Sequence, residues 1–314
     1  MEIPPKWYII INPVAGSGKS LKRWKKFKKL IDKANISYQY EVSSHKGACF
    51  EIVKNALKKD FKHFLAVGGD GTLNELINSL CRQSHPNELK EESALIVAQL
   101  AIGTGNDWLR SQKSKSENDE ELIQKMSDPL RFCNRQDIGK ITFRTSREPF
   151  FFINMLGVGF SGRVVENTVN HPALKKSGAV GYVLSLISSL GSFEEIKTKI
   201  SFNRERLNKN LFQMSIGIGK YAGGGMMFCP KAVLDDGLFD LTIVKTISRF
   251  KVVANILSLF NGKFVSNKEV FLYKTSDLTF DFEKPVPLEA DGEFLGYERT
   301  IEIASIDQKI KFLI

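Results

Sequence analysis

Short apolar runs alternate with amphipathic stretches over the first hundred residues of the chain. Four runs are apolar or alternate in polarity and are bounded by glycine, proline, asparagine or serine, which is typical of strands: 7–11, 38–43, 64–67 and 95–100. Between them, three stretches carry apolar residues at three- and four-residue spacing and predict helices: 19–33, 49–58 and 72–80. This order predicts a parallel sheet covered by helices, with right-handed crossovers.

The pattern changes after residue 110. The polar stretch 111–118 predicts an exposed loop, and 120–126 predicts a short helix. From Ile138 onward strand patterns dominate, and the apolar stretch 180–190 interrupts them as a buried or lid-like helix. The predicted strands are 140–144, 150–156, 197–202, 211–218, 239–244, 277–282 and 299–303. We therefore expect an α/β domain over 1–137 and an antiparallel β domain with a helical insertion over 138–314.

The chain is basic, and its charge is concentrated in one segment. Among 314 residues, 45 are Lys or Arg and 35 are Asp or Glu, a net charge of +10. The segment 19–33 holds eight basic residues and one acidic residue, so it carries +7 of that charge. The helix predicted there presents either an ordinary solvated face or a surface that attracts anionic lipid headgroups or nucleotide phosphates. Composition alone admits nucleic acid, membrane and phosphate-bearing small molecules as partners.

Several other classes of protein are excluded by the sequence. No uninterrupted apolar run approaches the roughly 18–20 residues that a membrane span needs. Residues 1–7 contain two prolines and lack the apolar core of a secretory signal. The four cysteines are far apart, and the four histidines show no metal-binding spacing. We expect a reduced, cytoplasmic protein.

The strongest motif is the glycine-rich loop 67–72, which follows a predicted strand and opens a predicted helix. Its glycines, Gly68, Gly69 and Gly71, permit a tight turn and close approach of the backbone to a phosphate. Thr72 with Glu75 matches a capping box, and the free amides of the helix start then form an anion site. An acidic residue, Asp70, is costly in such a loop unless it binds Mg²⁺ or takes a proton.

Two further loops follow predicted strands. The segment 102–107 contains two glycines and small polar residues that suit a second phosphate or nucleotide contact. The segment 12–20 resembles a P-loop, but the first glycine of that pattern would fall on Pro13, which offers no amide donor. We reject the P-loop interpretation, although residues 16–20 can still wrap a phosphate.

These loops together resemble the diacylglycerol kinase catalytic family of soluble lipid kinases, which includes sphingosine and ceramide kinases. The resemblance covers nearly the whole chain and rests on five motifs in the family's order: 11–18, 68–78, 102–110, 222–237 and 290–293. It implies an N-terminal parallel α/β nucleotide-binding domain, shared with NAD kinases, and a C-terminal antiparallel β-sandwich. The active site would lie in the cleft between the two domains. The implied activity is Mg²⁺-dependent transfer of the γ-phosphate of ATP to the hydroxyl of a lipid alcohol, diacylglycerol or a related glycerolipid. The basic segment 19–33 makes an anionic membrane surface the expected peripheral partner.

The resemblance also implies roles for individual residues. The residues that would contact ATP are Asn12, Pro13, Val14, Ala15, Gly16, Ser43, Gly68, Gly69, Asp70, Gly71, Thr72 and Thr104. Glu293 matches the proton acceptor of the family, and Asp70 matches a residue with a metal or a base role in relatives. Asp236, with main-chain oxygens of Val233 and Leu238, matches a structural Mg²⁺ site in bacterial members.

Some positions depart from the family pattern. Ala101 and Leu109 replace the usual proline and small residue and affect packing. Ser161 stands where many members carry an acid, which weakens the transfer of substrate identity. The Asp-Gly pair before Glu293 is also a hairpin signal, and 235–237 also reads as a β-turn.

Other functions remain open at this point. A sphingoid-base or ceramide-type lipid kinase, an NAD kinase and a catalytically silent binding protein are the alternatives. The motifs at 103–110 and 291–293 favour the lipid kinases over the NAD kinases. The intact Asp70, Thr72 and Glu293 argue against a silent protein. A nucleic-acid role has only charge in its favour and is not expected, while a homo-oligomer is left open.

Overall fold

The computed structural model describes residues 5–83, 95–103, 105–112, 118–171, 174, 178–192, 195–306 and 310–314. These residues divide into two compact units, the first of 5–136 with 310–314 and the second of 137–306. The elements up to residue 136 are β1 (Lys6–Ile11), α1 (Ala15–Gly18), α2 (Ser20–Lys33), β2 (Ser37–Val42), α3 (Cys49–Lys58), β3 (His63–Gly68), α4 (Asp70–Gln83), β4 (Leu95–Ala101), α5 (Asp107–Ser111), α6 (Asp119–Ser127), α7 (Pro129–Phe132) and β5 (Cys133–Arg135).

The remaining elements follow in the same order. They are β6 (Ile138–Phe143), β7 (Phe150–Phe152), β8 (Met155–Gly159), α8 (Phe160–Asn170), α9 (Gly178–Ser189), β9 (Ile196–Phe202), β10 (Glu205–Gly217), β11 (Tyr221–Ala222), β12 (Met226–Met227), β13 (Phe239–Lys245), α10 (Arg249–Ala254), α11 (Ile256–Phe260), β14 (Val270–Thr275), β15 (Asp277–Ala290), β16 (Glu293–Ile306) and β17 (Ile310–Leu313). Short 3₁₀ turns lie at Leu190–Ser192 and Lys263–Ser266.

The first unit is built on a sheet whose described strands have the order β2-β1-β3-β4-β17-β5. Strands β1 to β4 pair in parallel. Strands β1, β3 and β4 are buried along nearly their whole length, which explains why their sequences are continuous apolar runs rather than alternating ones. The predicted parallel α/β sheet is therefore confirmed.

The C-terminal strand belongs to this first sheet. Strand β17 pairs in parallel with β4 and antiparallel with β5. Its residues Ile310, Phe312 and Leu313 are buried. The expected second domain, 138–314, therefore loses its last strand to the first unit. The segment Ile310–Leu313 is only four residues long, so it shows no periodicity from which its partner strand could be predicted.

The basic helix α2 forms as expected and packs on the sheet through one face. Trp24, Phe27 and Ile31 are buried, but Leu21, which has the same spacing, is 40% exposed. Arg23 forms an ion pair with Asp119 of α6. Most of the other basic residues of the helix remain exposed, so its outer face is a positively charged surface.

The second unit is an antiparallel β structure. The main path of its described strands runs β14-β13-β10-β8-β15-β16-β6-β7, and β9 pairs with both β10 and β15. Alternate residues of these strands form one large core that is rich in phenylalanine, with Phe152, Phe239, Phe280 and Phe282 buried. The expected antiparallel β domain is confirmed.

The second unit differs from the sequence prediction in two respects. The predicted strand 150–156 is two strands, β7 and β8. They are separated by Ile153 and Asn154, whose main-chain N–H groups donate to the side chain of Asp291. The helices α8, α10 and α11 were not predicted, whereas α9 corresponds to the predicted helix 180–190. In the part of the chain that the structure describes, no helix is both long enough and apolar enough to cross a membrane.

Candidate active site

The loops that follow β1 to β4 lie next to one another at the carboxyl ends of the parallel strands. Main-chain hydrogen bonds connect them from loop to strand: Ser43 N donates to Ile11 O (2.9 Å), Asn12 N to Val67 O (3.1 Å) and Ile102 N to Gly68 O (3.0 Å). In parallel α/β sheets this edge is where ligands bind. The structure thus brings the predicted residues Asn12, Ser43 and Gly68 together in one unit.

Asn12 links the first loop to the third. Its side-chain Nδ2 donates to Thr72 Oγ1 at 3.0 Å, and its Oδ1 accepts from Val14 N at 3.1 Å. A Cβ at Gly68 would lie 2.2 Å from the same Thr72 Oγ1, so only glycine fits there. These contacts give Asn12, Gly68 and Thr72 a shared structural reason to occur together.

The predicted capping box of Thr72 and Glu75 is wrong. Helix α4 begins at Asp70, two residues earlier, and the Thr72 hydroxyl accepts from Asn12 instead of capping the helix. Glu75 Oε1 accepts from Gly47 N (2.7 Å) and Cys49 N (3.3 Å), at the start of α3. Both side chains satisfy donors on other segments, because tertiary partners outweigh the local capping contacts that a sequence pattern suggests.

The first loop has a backbone conformation suited to an anion. Gly16, Ser17 and Gly18 are consecutive residues with φ of 58°, 57° and 83°. Runs of residues in such conformations point successive N–H groups into a concave surface that binds phosphate. A Cβ at Gly16 would come within 2.5 Å of Ile102 Cγ2, so the loop also packs closely against the β4 loop. Pro13 and Ala15 lie in this loop, and Val14 is 76% exposed.

Gly71 shows most clearly that the start of α4 is open to a ligand. Glycine in a helix costs about 1 kcal/mol relative to alanine. Gly71 has no left-handed φ that would require glycine, and a Cβ there would meet no atom within 4 Å. Packing and conformation in the first unit therefore do not require glycine here, and the open space would admit a phosphate close to the helix start.

Asp70 is the acidic residue among these loops. Its Oδ2 accepts from Asp107 N at 2.8 Å, which connects it to the start of α5. Asp107 is itself buried and bonds to Arg110 at 2.8 Å. A carboxylate next to phosphate-binding amides would repel a bound phosphate unless a hard cation lay between them. These residues therefore fit a nucleotide that carries Mg²⁺. The predicted contact Thr104 lies outside the described residues.

In the second unit, Glu293 begins β16 directly after a two-residue turn. Strands β15 and β16 pair at Ala290 and Glu293, and the turn residues Asp291 and Gly292 have φ of 48° and 78°. Two consecutive positive φ values are those of a type I′ hairpin turn, which explains the Asp-Gly pair. The hairpin interpretation of this motif is confirmed, and it places Glu293 next to the tip of the hairpin.

Asp291 anchors this hairpin tip. Its carboxylate accepts from Ile153 N (2.9 Å), Asn154 N (3.0 Å) and Met155 N (2.9 Å), and its own N–H donates to Met155 O (2.9 Å). Hydrogen bonds to an ionised acceptor are stronger than neutral ones, so this set fixes the turn firmly. The sequence analysis did not assign Asp291 a role, although its position in the motif 290–293 was a usable signal.

Glu289, two residues before Asp291, is a buried acid that the sequence analysis missed. It is 5% exposed, and its Oε2 accepts from Gly292 N at 3.2 Å. Burial raises the pKa of Glu289 to about 8, with a smaller contribution from the charge of Asp291. A Cβ at Gly157 would come within 2.4 Å of Glu289 Oε1 and 2.1 Å of Ser161 Oγ. Position 161, where many family members carry an acid, is Ser161 in this chain, and the buried acid Glu289 lies close to the same glycine.

The residues of the predicted structural metal site do not fit a divalent cation well. Asp236 Oδ2 contacts Lys274 Nζ at 2.8 Å, and Asp236 Oδ1 accepts from Leu238 N at 3.1 Å. Lys274 Nζ also lies 3.2 Å from Asp240 Oδ2. The ammonium group of Lys274 therefore contacts both carboxylates and offsets one of their two negative charges. In the described residues, no group of three or more His, Cys, Asp or Glu could hold a metal. The predicted site consists of one carboxylate and the main-chain oxygens of Val233 and Leu238, so it stays a prediction.

An apolar cavity of about 60 Å³ lies inside the second unit. Side chains of α8, β10, α10 and α11 line it, among them Phe160, Phe212, Val252 and Leu259. Ten of its fifteen lining residues are apolar, and the polar ones are Gln213, Ser215, Thr242, Asn255 and Asn267. Such a space favours a hydrocarbon group over a polar one.

Comparison with known proteins agrees with this geometry. The diacylglycerol kinase catalytic domain model matches residues 6–133, and the YegS C-terminal NAD kinase beta sandwich-like domain model matches residues 154–304. Two solved structures share the fold over nearly the whole chain. A diacylglycerol kinase from Bacillus anthracis has a TM-score of 0.70 at 18% identity, with 100% of this chain and 98% of that chain covered. An NAD kinase from Archaeoglobus fulgidus, solved with ATP, has a TM-score of 0.53 at 13% identity, with 98% and 93% covered.

The fold and its glycine-rich loops define a class of two-unit kinases, in which a parallel α/β unit is followed by a β-sandwich. Within this class, the chain carries a diacylglycerol kinase catalytic domain followed by a YegS C-terminal domain. The diacylglycerol kinase of Bacillus subtilis is 24% identical over 298 residues, which cover 92% of this chain and 89% of that protein. The probable lipid kinase YegS-like protein of Shewanella frigidimarina is 27% identical over 252 residues, covering 80% and 76%.

Proposed function

We propose that this protein is an ATP- and Mg²⁺-dependent lipid kinase that transfers the γ-phosphate of ATP to the hydroxyl of diacylglycerol or a related glycerolipid. The observation that carries the proposal is the match of the diacylglycerol kinase catalytic domain to the very residues that form the loops at the carboxyl ends of β1 to β4. Relatives named diacylglycerol kinase and probable lipid kinase support the lipid acceptor.

The loops of the first unit would bind the nucleotide. The N–H groups around Gly16 and at the start of α4 would hold the phosphates, and Ser43 and Thr104 would contribute further contacts. Asp70 would hold the metal ion, which supplies neutralisation of the charge on the transferring phosphoryl group. Asn12 orients Thr72 through the 3.0 Å hydrogen bond between their side chains, so the two act together at the phosphates.

Glu293 would accept the proton of the acceptor hydroxyl. The hairpin turn that carries it is fixed by Asp291, which suits a residue whose task is to orient the hydroxyl and capture its proton late in the transfer. Asp70 is the second choice for this role. The small apolar cavity of the second unit is consistent with a lipid acceptor, because its apolar surface favours a hydrocarbon group over a polar one.

The proposal includes a location for the enzyme. A lipid acceptor resides in a bilayer, so the protein would work in the cytoplasm as a peripheral protein at an anionic membrane. The exposed basic face of α2 is compatible with that surface. The assay that identifies the lipid acceptor includes a sphingoid base, ceramide and NAD. Whether the protein forms a homo-oligomer is measured separately.

Steady-state kinetics of two variants test the assigned roles. Asp70→Asn should lower kcat about 10²-fold or more and weaken the response to Mg²⁺, because the carboxylate is a metal ligand. Glu293→Gln should lower kcat by a similar factor while the KM for ATP stays unchanged. Glu302→Gln, an exposed acid on the same strand as Glu293, is the matched control and should keep full activity. Full activity in both Asp70→Asn and Glu293→Gln would refute the assignment.

A further inference from the structure

Helices α10 and α11 expose an apolar stripe to solvent. Phe250 and Val253 of α10 and Leu257 and Phe260 of α11 follow one another at three- and four-residue spacing across Asn255, and all four side chains are exposed. Phe250 is 82% exposed and Leu257 is 81% exposed, the two highest values for large apolar side chains among the described residues. We call these four side chains the apolar stripe. An exposed set of this kind marks an interaction surface rather than ordinary surface variation.

The opposite face of the same helices is firmly packed. Ile256 is buried in a cluster with Phe160, Val164 and Leu186, and Val252 and Leu259 pack against that cluster. Because the inner face holds the helices to the second unit, the apolar stripe is a fixed surface feature. Val252 and Leu259 also line the apolar cavity, so the helices lie between this cavity and the apolar stripe.

The sequence segment that carries the apolar stripe is basic and has no acidic residue. Between residues 245 and 268 the sequence has five basic residues and no acidic residue: Lys245, Arg249, Lys251, Lys263 and Lys268. Lys251 is paired with Glu269 at 2.7 Å, whereas Arg249, Lys263 and Lys268 are exposed. The sequence analysis attributed the positive charge mainly to the segment 19–33, and this second basic segment was overlooked because its residues are spread over 24 positions.

We infer that α10 and α11 form a docking surface for an anionic lipid bilayer, with the apolar stripe inserted among the acyl chains and the basic residues at the headgroups. Apolar side chains flanked by basic residues match the layered chemistry of such a surface, apolar inside and negatively charged outside. A protein partner would bring acids for the charges but would not require the uninterrupted apolar stripe. The inference rests on the proposed function, since a lipid acceptor is what brings the enzyme to a bilayer.

Sedimentation with vesicles tests the surface directly. The full-length protein is mixed with vesicles of phosphatidylcholine containing phosphatidylglycerol, without ATP or acceptor. The double variant Phe250→Ala/Leu257→Ala should bind about tenfold or more weakly, because each side chain loses apolar burial. Arg249→Gln/Lys263→Gln should bind weaker by about fivefold for each charge removed, and this effect should shrink in high salt.

The matched control removes exposed apolar side chains elsewhere. Leu130→Ala/Val169→Ala changes residues that are 67% and 46% exposed and should leave vesicle binding unchanged. Equal binding by the wild type and Phe250→Ala/Leu257→Ala would overturn the inference, as would absence of binding by the wild type. A shift from dimer to monomer in the apolar-stripe variant, seen by analytical ultracentrifugation, would also overturn it, because the stripe would then join two copies of the chain.

Activity on two forms of the acceptor separates this inference from the proposed function. With a short-chain diacylglycerol dissolved as monomers, Phe250→Ala/Leu257→Ala should match the wild type. With long-chain diacylglycerol in anionic vesicles, its activity should fall in proportion to the lost binding. If the wild type phosphorylates neither form, the proposed function fails, whereas vesicle binding measured without ATP still decides the docking surface.

Discussion

Replacing Glu289 by glutamine should stabilise the second unit at alkaline pH and change its stability little at acidic pH. Burial raises the pKa of Glu289 from 4.5 to about 8 in the folded protein. As the pH rises through this interval, the unfolded chain releases the proton while the folded chain keeps it, so unfolding becomes more favourable. The penalty is fully present above pH 8 and absent below the pKa of the unfolded chain.

The size of the effect follows from the shift in pKa. Each unit corresponds to about 1.4 kcal/mol, so a shift from 4.5 to about 8 costs the wild type up to about 5 kcal/mol at high pH. Glutamine has no proton to lose and therefore does not have this penalty. Its amide oxygen can also accept from Gly292 N, which Glu289 Oε2 does at 3.2 Å. The variant should gain on the wild type by about 1.4 kcal/mol per pH unit between pH 5 and 8.

Urea unfolding at several pH values measures this difference. The three tryptophans, Trp7, Trp24 and Trp108, all lie in the first unit, so fluorescence reports that unit alone. Far-UV circular dichroism reports both units, and the part of its transition without a fluorescence change belongs to the second. Glu302→Gln, an exposed acid on β16, is the control and should show no such trend. A difference between Glu289→Gln and wild type that does not vary with pH would refute the reasoning.

Three further predictions concern the nucleotide loops and the charged groups. Gly71→Ala should raise the free energy of unfolding of the first unit by about 0.5–1 kcal/mol in urea melts while weakening ATP binding measured by calorimetry; unchanged ATP affinity would remove the ligand role of this glycine. A chelator should not change the melting temperature of the wild type. Lys274→Gln should melt at a lower temperature, and Mg²⁺ bound at Asp236 and Asp240 should raise that temperature again. A lower melting temperature of the wild type in chelator would instead support the predicted structural metal site. Replacement of four lysines of α2 by glutamine should weaken binding to anionic vesicles at low salt; these are Lys25, Lys26, Lys28 and Lys29. Binding equal to that of the wild type would show that α2 does not contact the membrane.

The general architecture of the first unit could be predicted from the sequence because its strands are buried on both faces. Their continuous apolar runs, each followed by a glycine-rich or polar loop, define both the strands and the edge of the sheet where the loops meet. The order of strands and helices then leaves few topologies. The loop residues Gly68 and Thr72 were identified on the same basis, whereas Asn12 was predicted from the family resemblance.

Features that depend on distant partners could not be predicted. Thr72 and Glu75 match a local cap, yet each bonds to a segment that is more than 25 residues away in sequence. Lys274 lies 38 residues from Asp236, and no pattern in the sequence relates them. Glu289 reads as one more acid near a hairpin, because burial is a property of the assembled sheet rather than of the local sequence.

The choice of phosphate acceptor tests the central claim most directly. The wild-type protein is incubated with radiolabelled ATP and Mg²⁺ against diacylglycerol, monoacylglycerol, sphingoid base, ceramide, phosphatidylglycerol and NAD, each presented separately. We predict label in diacylglycerol or a related glycerolipid and none in NAD. Label in NAD alone would contradict the account.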